Sequence, residues 1–137
     1  MNAEKNVRKI LGALGEINRI LRNNAVAMER RIGVKSTATR LEVVNYQNEP
    51  MVEGFVEAEM DNGTVLCWCL DLTWTDDAFR IEATLDRNSS AGSETLKRLP
   101  TEVVHDVGDL PEALANVTRT APVILGTSVG IGATLPR

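Results

Sequence analysis

Apolar and polar residues alternate with period two in three consecutive runs, Met51–Met60, Thr64–Trp74 and Phe79–Asp86. The joints between them are Asp61-Asn62-Gly63 and Thr75-Asp76-Asp77-Ala78. Such alternation predicts strands with one covered and one solvated face, and turn-forming joints predict an antiparallel meander. The faces then fix the register, because a slip of one residue turns every side chain over. A two-residue Asn62-Gly63 turn would set Glu57 opposite Trp68 and Glu59 opposite Leu66. A three-residue loop with Gly63 left-handed pairs Met60 with Thr64 instead. Val52, Gly54, Val56 and Ala58 then lie opposite Leu72, Leu70, Trp68 and Leu66. A four-residue second joint pairs Trp74 with Phe79, Leu72 with Ile81, Leu70 with Ala83 and Trp68 with Leu85. One face is apolar on every strand. An earlier run, Thr37–Tyr46, joins if Gln47-Asn48-Glu49-Pro50 is the connection, which sets Leu41 opposite Val56, Val43 opposite Gly54 and Arg40 opposite Glu57.

The apolar face needs a cover, and the N-terminal segment supplies one. Val7, Ile10, Leu11, Leu14, Ile17, Leu21, Ala25, Met28 and Ile32 recur at spacings of three and four, a single helical stripe. Arg30, Arg31 and then Gly33 form its stop signal. At 1.5 Å per residue a helix of about 30 residues is roughly 45 Å long, more than four strands about 4.8 Å apart can cover. Either Gly12 and Gly15 break it, or one end overhangs and finds another partner.

Beyond Asp86, residues 87–94 are small and polar and read as a loop, followed by an extended piece, Thr101–Val107. Asp109 and Glu112 have capping-box spacing before a stripe of Leu110, Leu114, Val117 and Ala121, which Pro122 should end. Gly126–Arg137 carries three glycines and no periodicity, and reads as a flexible tail behind one domain spanning 1–125. The fold class is α+β: a long N-terminal helix on a four- to five-stranded antiparallel meander, with a short C-terminal helix.

The 137 residues suffice for a single core. No run approaches the ~20 apolar residues of a membrane span, so no membrane partner is expected. Cys67 and Cys69 are the only cysteines, and two apart on one strand they are poorly placed to bridge, which points to a reducing cytoplasm. The net charge of −4 is divided unevenly. Residues 1–35 carry an excess of Lys and Arg, against a strongly acidic remainder that argues against nucleic acid as a partner.

The register brings candidate chemistry together. On the polar face Glu53, Asp71 and Glu82 fall in one cross-strand row, and Glu57, Cys67 and Asp86 in another four residues along. Like charges directly opposite destabilise a sheet, so this clustering points to a basic partner, the plain alternative being a solvated face. Cys67 and Cys69 lack the further ligands that zinc requires, and no cofactor is implied. Trp68, Trp74 and Phe79 could instead wall a pocket between helix and sheet, with Asn45 or His105 at its mouth and Gly54 letting the strand bend. His105-Asp106 is no catalytic dyad, since strand neighbours face opposite ways, and no nucleophile elbow or phosphate loop occurs. The element order is similar to cystatin-like and NTF2-like arrangements, and the small acidic chain resembles secretion chaperones and bacterial immunity proteins. These are likenesses of order and composition, with no shared motif. The leading expectation is a non-enzymatic protein-binding module, homodimeric through its N-terminal helix, that meets a basic protein through the acidic sheet face. A small-molecule or enzymatic pocket between helix and sheet, and a structural oligomerisation domain, are the alternatives.

Overall fold

A computed structural model describes residues 2–47, 49–74 and 77–132. Helix α1 (Asn2–Glu29) leads into five strands in meander order, β1 (Val34–Tyr46), β2 (Glu49–Met60), β3 (Val65–Trp74), β4 (Phe79–Ser89) and β5 (Gly92–Arg98). A short strand, β6 (Glu102–Val104), pairs with the start of β4. A 3₁₀ turn then precedes helices α2 (Leu110–Thr118) and α3 (Thr120–Gly132). All pairings are antiparallel, as the α+β reading requires.

The central register is the one the alternation demands. Val56 pairs with Trp68, Gly54 with Leu70, Leu72 with Ile81 and Trp68 with Leu85. Gly63 has φ of 87°, and the Met60 amide donates to the Thr64 carbonyl at 2.7 Å, which closes the three-residue loop. The first hairpin differs. Tyr46 pairs with Glu49, so Leu41 faces Gly54, Val43 faces Val52 and Arg40 faces Phe55, a shift of two residues from the sequence expectation. Pro50 belongs to the strand, and Gln47 takes φ of 52°, the left-handed conformation that a two-residue hairpin turn requires. A shift of two leaves the faces unchanged.

Three helices share the apolar face. α1 packs on β1 and β2, α3 on β3 and β2, and α2 on β4 and α1. α1 runs without a break through Gly12 and Gly15, and Ile10, Ala13 and Leu14 in its N-terminal half still pack against the core that Ile17, Leu21 and Met28 enter. Gly54 is closely covered. A Cβ there would lie 3.3 Å from Leu41 Cδ1 and 3.4 Å from Leu21 Cδ1, so the absent side chain lets helix and edge strand close on the sheet. Asn24 lies 4% exposed on the buried side of α1, with neither its amide nitrogen nor its carbonyl oxygen partnered. Unmet buried polar atoms cost stability, and alanine also favours the helix. Asn24→Ala is therefore expected to raise the thermal midpoint by a few degrees, readable by calorimetry.

The C-terminal third departs most from expectation. Residues 87–94 are not a loop: β4 continues to Ser89 and returns as β5, with Arg87 ion-paired to Glu94 across the hairpin. Every residue of β5 is exposed, so this strand lacks the alternation that betrays the others. The Asp109 capping box does not form. Asp106 accepts from the Gly108 amide at 2.9 Å and starts the 3₁₀ turn, while Asp109 makes no side-chain cap. Pro122 ends no helix; it lies in the first turn of α3, where a missing N–H costs nothing. Residues 126–132, expected as flexible tail, continue α3, with Leu125 and Val129 buried in the core. Residues 133–137 of that segment lie outside the described residues.

Candidate functional site on the outer sheet face

With all helices on one side, the opposite side of the sheet carries no other element among the described residues. Strand pairing places Glu42, Glu53, Asp71 and Glu82 in one row across β1 to β4. Glu42 was not among the residues expected there, because the expected β1 register put it elsewhere. A second row holds Glu57, Cys67 and Asp86, and Phe55, Cys69 and Thr84 lie between the two. Met51, Glu53, Asp71, Thr73 and Glu82 line an open concavity of about 370 Å³ over the first row.

Hydrogen-bond phase tightens the centre of this row. Met60 bonds towards β3, so even-numbered β2 residues pair with β3 and odd ones with β1. Glu53 and Asp71 are therefore a non-hydrogen-bonded pair, the kind that brings opposed side chains closest. Asp71 responds: burial, then the Glu53 carboxylate, then that of Glu82, push its carboxyl up to about 6 from 3.8. Cations touch the ends of the row, Arg40 at 3.3 Å from Glu42 and Arg80 at 3.5 Å from Glu82, which leaves the centre repulsive.

The sign of this shift makes a stability prediction. Below about pH 3 Asp71 is protonated whether the chain is folded or unfolded. As pH rises through 6 the folded carboxyl is held protonated against its tendency to ionise, so stability falls across that window and the full penalty applies above it. Because the group is half-exposed and screened, that penalty is on the order of 1 kcal/mol. Asp71→Asn should stabilise the fold by that amount at pH 7.5 and by almost nothing at pH 3, measured by urea unfolding at both values.

The cysteines share this face. Their sulfurs lie 3.2 Å apart, and that contact, burial and the Glu57 and Asp86 carboxylates together push the Cys67 thiol well above its usual range. Among the described residues, no group of three or more His, Cys, Asp and Glu side chains is arranged to hold a metal ion.

The residues expected to line a helix–sheet pocket do not converge. Trp68 is 0% exposed and part of the core. Trp74 and Phe79 pair at the β3–β4 turn, with Trp74 40% exposed. Asn45 is exposed on β1, at the opposite edge of the sheet from His105, whose Nδ1 lies 3.4 Å from the Asp77 carbonyl. His105 instead borders a different concavity of about 460 Å³, lined by Glu102, Asp106, Asp109 and Glu112 among others.

No family model, curated protein or solved structure matches the chain. Among the described residues no helix is long and apolar enough to cross a membrane.

Proposed function

We propose that this chain is a non-enzymatic protein-binding module whose outer sheet face receives a basic partner. The observation that carries the reading is the four-carboxylate row with a strained centre. The free chain holds like charges side by side, and lysines or arginines laid across them would relieve the repulsion and supply charge-assisted hydrogen bonds. A fully buried Trp68 and the filled space at Gly54 weigh against the alternative of a ligand pocket beneath the helix. Two free thiols fit a reducing cytoplasm as the working location.

The test is binding of a Lys/Arg-rich peptide, read by fluorescence anisotropy at 50 mM and 500 mM salt. The wild type should bind at low salt and release the peptide at high salt, by screening. The triple variant Glu53→Gln, Asp71→Asn, Glu82→Gln should fold at least as stably and bind about tenfold or more weakly. Undiminished binding by this variant at low salt would reduce the row to a solvated surface.

A homodimer is the second reading, favoured by one observation. Val7 and Leu11, on the N-terminal half of α1, are 54% and 62% exposed, an apolar flank that a second copy would cover.

A further inference from the structure

The long edge strand β1 offers a more specific contact than the helix flank alone. Among the described residues it pairs only with β2; it runs for 13 residues and contains no proline, so its outer row of backbone groups is open to another strand. Its one irregularity lies at the start, between Val34 and Ser36. The opposite edge is divided between the shorter strands β5 and β6.

The phase of the ladder determines which β1 residues point outward. Odd-numbered β2 residues bond to β1, and they pair with even-numbered β1 residues from Ser36 to Val44. The N–H and C=O groups of Thr37, Thr39, Leu41, Val43 and Asn45 therefore face the open edge. A symmetric antiparallel partner centred on Leu41 sets Leu41 against its own copy as a hydrogen-bonded pair, with Thr39 against the partner's Val43 as the next. That register also sets Arg40 opposite the partner's Glu42, and Glu42 opposite the partner's Arg40. Moving the centre by one residue sets either Glu42 against Glu42 or Arg40 against Arg40. The strand is self-complementary in both hydrogen bonding and charge at one register.

Apolar exposure lies on the same side of the molecule. Val43, on the inner face of β1, is 70% exposed. Leu11 and Glu29 are five helical turns apart at 3.6 residues per turn and so project in one direction from α1, and the Glu29 carboxylate accepts from Thr37 Oγ1 of β1 at 2.8 Å. The flank bearing Leu11 and Val7 is thus the one turned towards the β1 edge, while the other flank, at Glu16, feels Arg119 beyond α2.

We infer that two copies of this chain join edge to edge through antiparallel β1 strands centred on Leu41, with Arg40 and Glu42 exchanged across the two-fold axis. The inference rests on the homodimer reading and gives it an interface; with the acidic row it shares only Glu42 and its partner Arg40, at the row's β1 end.

Sedimentation equilibrium at tens of micromolar tests it. The wild type should weigh about 30 kDa, twice the 15.0 kDa of one chain. Arg40→Glu and Glu42→Arg singly should each raise the dissociation constant about tenfold or more, because like charges then meet at both symmetric positions. The double exchange Arg40→Glu, Glu42→Arg restores opposite charges and should recover the dimer. Val43→Pro removes an N–H that points only outward, so it should abolish the dimer while the far-ultraviolet circular dichroism is kept. A monomeric wild type at 100 µM would overturn both the dimer and the interface. A dimer that survives all of the β1 changes but dissociates with Leu11→Asp would overturn the edge pairing and leave the helix-mediated dimer standing. The triple variant of the acidic row should remain dimeric, so loss of peptide binding there bears on the other reading alone.

Discussion

Leu70→Ala is expected to destabilise the fold by about 2–5 kcal/mol, the cost of a cavity at a site that cannot collapse. Leu70 is fully buried on the central strand β3, opposite Gly54 on one side and Ala83 on the other. Both neighbours are too small to fill the space it would leave. At this chain length each kcal/mol moves the thermal midpoint by about 3–5 °C, so the variant should melt roughly 6–25 °C lower. Thr73→Ala, on the same strand but on the solvated face, should stay within about 0.5 kcal/mol. Equal losses from the two changes would mean that the strand does not have the faces described. Trp68→Ala should cost about 3–5 kcal/mol, since it empties the largest fully buried side chain of the core.

The second large effect comes from adding atoms. Gly54→Val would place a branched side chain where Leu41 Cδ1 and Leu21 Cδ1 already stand within 3.4 Å of an added Cβ, with the Arg40 carbonyl at 3.7 Å. Overpacking of this kind costs about 1–3 kcal/mol. The clash involves two flexible leucine tips, so Gly54→Ala should be milder, and adding Leu21→Ala to Gly54→Val should recover part of the loss. Urea unfolding of the single and paired variants measures that coupling. Equal destabilisation in the presence and absence of Leu21→Ala would show that α1 does not rest on β2 at this point.

How legible the fold was in the sequence follows from where burial imposes a pattern. β2, β3 and β4 alternate because one face meets three helices and the other meets water, and Gly63 fixes the turn between the first two; their register was readable to the residue. β1 was readable as a strand but misplaced by two, because Gln47 carries no glycine-like signal for its left-handed turn and Pro50 reads as loop although it lies in β2. β5 is exposed on both faces and has no apolar alternation. α3 is apolar nearly all round and rich in glycine, so it shows no stripe, although Ala121, Leu125 and Val129 repeat every fourth residue on its buried side. The acidic row shows the same dependence on register. Glu53, Asp71 and Glu82 could be placed together from the sequence, whereas Glu42 needed the true β1–β2 pairing. The aromatic set was less legible: aromatic composition does not distinguish a wall from a core, and Trp68 lies fully buried in the core.

The raised carboxyl of Asp71 has a thermochemical consequence. Near pH 6 about half of the folded chains carry a proton there, held by burial and by Glu53 and Glu82 on the flanking strands. A cationic side chain docking between those carboxylates would draw the value back down and expel the proton into the buffer. Association would then tighten as pH rises from 5 to 7, and its measured heat would differ between buffers of unequal ionisation enthalpy in proportion to the protons released. With Asp71→Asn that difference should vanish, which makes the buffer itself a reporter of whether a ligand has reached the middle of the row.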